Sequence, residues 1–291
     1  MSGFDANWLH QREPFDLAAR SGTLAAQFCA AVASSANGPL RIIDLAAGAG
    51  ANFRALAPLL HGDQDWLLVD HDPVLLDAQQ AQIARWATDQ GWSCHALEGG
   101  LSVDTGSARW RVRGHLLDLA QSLEQLELAG FDGVTTTAFL DLVSAAWLDR
   151  LGALLAHARR PLLATLTVDG QRDWLPRLPA DKFIHDAFLR HQSGDKGFGA
   201  SLGSAATPCL ADRLTAHGYL VRTARSDWHI GADQRDMLLK MVEESLAVAC
   251  ATEPTASPLF AKWSDERTAQ IASRQLLLTV GHLDLLALPP A

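Results

Sequence analysis

A hydrophobic run ends at Asp44 and turns through Gly48 and Gly50 into a helical segment, giving the stretch RIIDLAAGAGANF. Glycines in such a turn let a ligand approach the backbone closely and allow dihedrals that side chains disfavour. Two further strand-like runs end on carboxylates, Asp70 in DWLLVDHDP, 20 residues after Gly50, and Asp118 in GHLLDLAQ. A fourth run, FDGVTTTAFLDLVS, leaves Thr137 and Asp141 at its end. Open α/β sheets place their ligand crevice at these carboxyl ends. Two chemistries compete for the glycine turn. A dinucleotide fingerprint calls for a third small residue where this chain has Phe53, and it seats a pyrophosphate that Asp44 would repel. S-adenosylmethionine has no phosphate and carries a sulfonium and an ammonium, so a carboxylate beside the turn favours it. Asp70 then suits the ribose hydroxyls and Asp118 the adenine amino group.

The elements that must position these residues alternate strand with helix, the pattern of a parallel sheet covered on both faces. Strands are expected at 40–45, 66–69, 109–117, 131–137 and 161–168, with helices near 53–60, 73–89, 119–128 and 144–158. Asp72 before Pro73 marks an N-cap and a first-turn proline. Gly91 to Ala108 contains turn signals that suit a small hairpin beside the third strand. After Asp169 the rhythm changes. Pro and Trp cluster in QRDWLPRLPADKF, and four glycines fall between Gly194 and Gly203, which suggests an inserted segment over 170–205. Strands return at 219–228 and 276–288, separated by two helices. The expected organisation is one domain over 1–291 with an N-terminal helical cap over 1–36.

Arg12 falls in a short polar stretch ahead of the first helix, expected to begin near Phe15, where it can close over the crevice and pair with a cofactor carboxylate. The segment His191, Gln192, Asp195, Lys196, Phe198 is the densest polar set outside the turn, and its glycines suit a lid. If the methyl acceptor must lose a proton, His191 with Asp195 is the first choice of base, with Asp169 and His185 behind it. Trp8, Trp147, Trp174 and Trp228 could wall an apolar pocket, although core burial is the commoner fate of tryptophan.

The net charge of -9 argues against a nucleic-acid partner. Four scattered cysteines have no metal-ligand spacing, and no apolar run approaches bilayer length, so no metal, no membrane partner and a cytoplasmic location are expected.

WLHQREPFDLAARS, DLAAGAGAN, LVDHDP, LDLVSAAWL, HQSGDKGFG and LTVGHLDLLALP together resemble the class I S-adenosylmethionine-dependent methyltransferases, in particular a bacterial subgroup, over nearly the whole chain. The resemblance implies a Rossmann-like, doubly wound, seven-stranded α/β sheet, mostly parallel with an antiparallel last strand. It implies S-adenosyl-L-methionine as cofactor and S-adenosyl-L-homocysteine as product. Asp44, Gly48 and Gly50 would line the methionine part, Asp70 the ribose and Asp118 the adenine. Ala46, Asn52, His71, Leu119 and Thr137 are counted with that lining. Ala46 stands where the family has its first glycine, and is expected to follow the strand without a positive φ. The function expected is methyl transfer to an O, N or S atom of a small molecule. An RNA or protein acceptor, a non-catalytic cofactor-binding protein and a dehydrogenase stay open as alternatives.

Overall fold

The structure is a computed structural model that describes residues 6–35 and 38–290. Residues 1–5 and 36 of the expected N-terminal cap lie outside the described residues. Ten strands form one sheet: β1 (Leu40–Leu45), β2 (Gln64–Asp70), β3 (Ser93–Leu97), β4 (Gly100–Asp104), β5 (Arg109–Leu116), β6 (Gly133–Thr137), β7 (Leu162–Leu175), β8 (Leu220–Arg225), β9 (Trp228–Ile230) and β10 (Leu277–Leu288). Their order is β3-β4-β5-β2-β1-β6-β7-β10-β8, with β9 on β10. From β5 to β7 all pairings are parallel, and β10 runs antiparallel to both β7 and β8. This is the expected doubly wound sheet with an antiparallel last strand. It is enlarged by the β3–β4 hairpin beside β5 and by the short β9.

The helices are α1 (Ala6–Ala19), α2 (Gly22–Ser35), α3 (Ala51–Leu56), α4 (Pro73–Asp89), α5 (Leu119–Ser122), α6 (Ala145–Ala158), α7 (Asp181–Gln192), α8 (Ala206–Ala216), α9 (Arg235–Thr252) and α10 (Ser257–Ala272). Successive strand residues point to opposite faces, so Ile43, Leu45 and Val69 pack with α6 and α8 while Ile42 and Leu68 pack with α2, α3 and α4. Asp72 caps α4 by accepting from the Val74 amide (2.8 Å), and Ser144 caps α6 by accepting from Trp147 (3.3 Å). Among the described residues no helix is long and apolar enough to cross a membrane.

Several boundaries differ from the sequence expectation: the helix expected over 119–128 is only Leu119–Ser122, the strand expected over 219–228 is split into β8 and β9, and two further differences bear on the site. The first helix begins at Ala6 rather than near Phe15, so Arg12 is helical. The fifth strand does not stop at Val168. It continues to Leu175 because the first residues of β10, Leu277 to Val280, satisfy its backbone, and the start of the expected insertion is therefore strand. Beyond the strand ends, α7, α9 and α10 pack over this extension around Trp174, Trp228, Leu238 and Trp263 and make a third apolar cluster. Buried Asp284 of β10 joins the N-terminal helices to the sheet: one oxygen accepts from the Leu166 amide and the other from Ser21, each at 2.8 Å.

Helix α2 lies directly on β6, where a Cβ added to Gly133 would stand 2.6 Å from both Phe28 Cζ and Val32 Cγ1. Gly133→Ala should therefore lower stability by about 1–3 kcal/mol through overpacking, as measured by the urea unfolding midpoint. An unchanged midpoint would mean that α2 does not hold this seat.

Candidate functional site

The glycine turn follows β1. Ala46, Gly48 and Gly50 all have positive φ, at 53°, 53° and 79°. The expectation that Ala46 avoids this region is wrong. The turn needs the left-handed conformation there, and an alanine bears a cost of about 1–2 kcal/mol for it. The turn is tied down from β2 and α4: Asp70 accepts from the Gly48 amide at 2.7 Å and from the Asp72 amide at 3.0 Å, while Gln79 Nε2 of α4 donates to the Gly48 carbonyl at 2.6 Å. At Gly50 a Cβ would meet Ile83 at 3.3 Å, so close packing and backbone conformation both demand glycine.

Beside the turn, Asp44 is fully buried. Its Oδ1 accepts from Asn52 Nδ2 at 2.6 Å and from the Thr135 hydroxyl at 2.8 Å, whereas Oδ2 has no partner. Burial pushes its pKa up to about 7, against the pull of Asn52, Thr135 and the Arg20 charge. Arg20, directly after α1, donates to Asn52 Oδ1 (2.7 Å), Thr165 Oγ1 (2.8 Å) and Thr137 Oγ1 (3.1 Å). Its Nε is buried without an acceptor, and burial lowers its pKa despite the charges of Asp16, Asp284 and Asp44. A cation and an anion thus share Asn52 at the ends of β1, β6 and β7, and each keeps one unpaired polar atom. Such an arrangement suits a ligand carrying both signs of charge.

Asp70 is buried, with the exposed His71 ring 3.4 Å from its carboxylate. Asp118 is exposed and caps α5, accepting from the Ala120 amide and from Gln121 Nε2, each at 2.9 Å. Leu119 packs its side chain in the core and gives its carbonyl to Trp147 Nε1. The carboxylates end adjacent strands: Asp118 follows β5, Asp70 closes β2, and Asp44 with its turn closes β1, next to Thr137 of β6.

Arg12 does not join them. It lies within α1, its guanidinium paired to Asp16 at 3.0 and 3.1 Å and stacked 4.8 Å over Trp228, and the arginine that reaches the crevice is Arg20. The signal was present as a helical phase. Leu9, Glu13, Asp16 and Arg20 recur at intervals of three or four residues. Leu9 lies against Gly48, and Glu13 pairs with Arg54 at 2.7 Å while Arg54 Nη1 donates to the Ala49 carbonyl, so α1 is strapped onto the turn.

Nor are His191 and Asp195 brought together: no hydrogen bond or ion pair joins them, both are exposed, and Asp195 accepts from the Gly197 and Gly199 amides to shape its own turn. The inward residue at the end of α7 is Gln192, which donates to buried Asp141 at 3.2 Å. Burial raises the Asp141 pKa, opposed chiefly by its own backbone amide and by Gln192. The glycine-rich loop is joined to the segment between β6 and α6 by Leu202 N to Val143 O and Ser201 Oγ to Leu142 O, each 2.9 Å, with Phe198 edge-on to Phe139 and Trp147. The four tryptophans divide between two clusters, Trp147 with the sheet and Trp8, Trp174 and Trp228 with the cap that α7, α9 and α10 form over the β7 extension. Two surface hollows, one beside Pro14, Phe15 and His229 and one beside Leu178 and Trp263, include no residue of the glycine turn in their lining.

No family model and no curated protein matches the chain. Solved structures similar to it include a cyclopropane synthase of Mycobacterium tuberculosis, at 12% identity over 90% of this chain and 83% of that one, TM-score 0.46. A phosphoethanolamine N-methyltransferase of Haemonchus contortus with S-adenosylhomocysteine is 11% identical over 98% of this chain and 57% of that one, TM-score 0.47. A methyltransferase of Thiobacillus denitrificans, also with S-adenosylhomocysteine, is 14% identical over 97% and 98%, TM-score 0.43.

The Asp44 carboxyl makes stability depend on pH in a defined direction. Its folded pKa of about 7 lies above the ordinary 3.8, so between those values the folded state keeps a proton that the unfolded state has released. Its contribution is complete below pH 4, falls as the pH rises toward 7 and stays lost above that. Urea unfolding at pH 5 and pH 8 should show a larger loss for the wild type than for Asp44→Asn, and equal losses would contradict this account of the site.

Proposed function

We propose that the chain is an S-adenosylmethionine-dependent methyltransferase acting on a small molecule. The observation that carries this reading is the buried Arg20–Asn52–Asp44 chain beside the left-handed turn, with Asp44 Oδ2 and Arg20 Nε both unpaired. The cofactor's groups follow one another as carboxylate, ammonium, ribose diol and adenine. In support of the reading, Asp44, Asp70 and Asp118 stand at the ends of the adjacent strands β1, β2 and β5, with Arg20 bonded to Thr137 and Thr165 on the other side of β1. A pyrophosphate would face Asp44 and Asp70 and find the Gly48 amide already donated, which disfavours a dinucleotide.

When bound, the cofactor supplies a methyl group on a sulfonium, and the protein's task is alignment and exclusion of water. The α1 strap serves the second task. Of the polar groups near the end of β6, Asp141 is better placed than His191 or Asp195 to hold a proton from the acceptor, because its carboxyl is buried and held by Gln192. The net charge of -9 favours a small-molecule acceptor over RNA.

Calorimetry with S-adenosylhomocysteine tests the reading. Arg20→Gln and Asp70→Ala should each weaken binding by about 10-fold or more, as expected for lost hydrogen bonds to charged groups. Below pH 7, binding should release a proton from Asp44, detected as a dependence of the heat on the buffer's ionisation enthalpy. Heat with NADH but none with S-adenosylhomocysteine would overturn the proposal, and labelled methyl transfer to a metabolite panel separates an enzyme from a cofactor-binding protein.

A further inference from the structure

Among the described residues, burial lowers the pKa of three arginines: Arg20, Arg172 and Arg267. Arg267 has its carboxylate, Asp181, as do the partly buried Arg12 and Arg54 in Asp16 and Glu13. Arg20 faces the cofactor crevice. Arg172 has no carboxylate within ion-pair distance and lies outside that crevice, on the extension of β7 that overhangs the strand ends. Its Nη1 donates to Ser245 Oγ of α9 at 2.9 Å, a hydroxyl that itself donates to the Met241 carbonyl. Its guanidinium carbon lies 4.1 Å over the Phe188 ring of α7. Its Nε and the neighbouring His185 Nδ1 are both buried without partners. The one acidic charge it feels is Glu244, whose carboxyl is pushed up by burial and lies 3.9 Å from Lys240.

A guanidinium partly withdrawn from water without a counter-ion is unfavourable, and an arriving anion offsets that cost. Ser245, Phe188 and β7 hold the group in one orientation, so its planar fork is ready for two parallel bonds to a carboxylate or phosphate. We infer that Arg172 is the recognition residue for an anionic group, a carboxylate or a phosphate, on the methyl acceptor. The assignment to the acceptor rests on the methyl-transfer reading above. Arg172 is four residues beyond Val168 on β7, across a bulge where those four residues oppose only two of β10, a separation of about 7 Å along the partner strand.

The probes are benzoate, inorganic phosphate and neutral benzamide, titrated by calorimetry into protein saturated with S-adenosylhomocysteine. Benzoate or phosphate should bind saturably in the wild type, benzamide should not, and Arg172→Met should weaken the anion by about 10-fold or more, with Arg172→Lys between them. Which of the two anions binds more tightly distinguishes a carboxylate from a phosphate acceptor. A thermal scan guards against a merely structural role. Removing an unpaired buried charge should leave the melting temperature of Arg172→Met unchanged or raised. Anion binding that is equal in Arg172→Met and wild type, or absent from wild type, overturns the inference, as does a lowered melting temperature in that variant. If S-adenosylhomocysteine gives no heat while benzoate still depends on Arg172, the methyl-transfer reading fails and the anion site stands.

Discussion

The architecture of the crevice follows from one constraint: Asp44 and Arg20 are both taken out of water and neither is given a complete set of partners. Burying a charge is unfavourable unless it is paired and hydrogen-bonded, and here Asn52 mediates, its amide nitrogen donating to Asp44 and its oxygen accepting from Arg20. Because the mediator is neutral, the two charges interact through it without cancelling. The residual deficit of each is local and directional. Much of the surrounding structure serves to hold this arrangement: Thr135 fixes Asp44, Thr137 and Thr165 fix Arg20, and Asp284 fixes the joint from which Arg20 emerges.

The glycine turn is part of the same arrangement. Asp70 spends a carboxylate oxygen on the Gly48 amide, and Gln79 takes the Gly48 carbonyl, so the turn is rigid before any ligand arrives. Rigidity also explains why an alanine is tolerated at position 46. Hydrogen bonds on the next peptides, from Ala47 N to Val69 O and from Gly50 N to Ala47 O, over-determine the backbone and hold Ala46 in a conformation it would not choose alone.

What was legible in the sequence was whatever depends on neighbours along the chain. The bounds of β1, the Asp72-Pro73 start of α4 and the span of α6 are set by local hydrophobic pattern and capping chemistry, and the structure matches them to within a residue. So was the glycine turn with its flanking aspartates. What was not legible depends on partners far away in sequence. The extension of β7 exists because β10 returns to pair with it more than a hundred residues later. Arg12 carried the expectation and Arg20 none, because a helix start near Phe15 hides the common face of Leu9, Glu13, Asp16 and Arg20. Similarly, a polar loop was credited to His191, but the phase of α7 turns Gln192 inward toward Asp141 and leaves His191 outside. For His191 residue type pointed to the more familiar chemistry, and in both cases helical phase decided otherwise.

Helix α1 then acquires a role that neither end of the molecule would suggest alone. Leu9 and Glu13 fasten it to the glycine turn. Asp16 accepts from the indole of Trp228 in the cap while holding Arg12 against the same ring. Arg20 ends the segment inside the crevice. One rigid element therefore touches the turn, the cap and the buried charge, and a ligand that completes Arg20 acts on the segment that also carries Asp16.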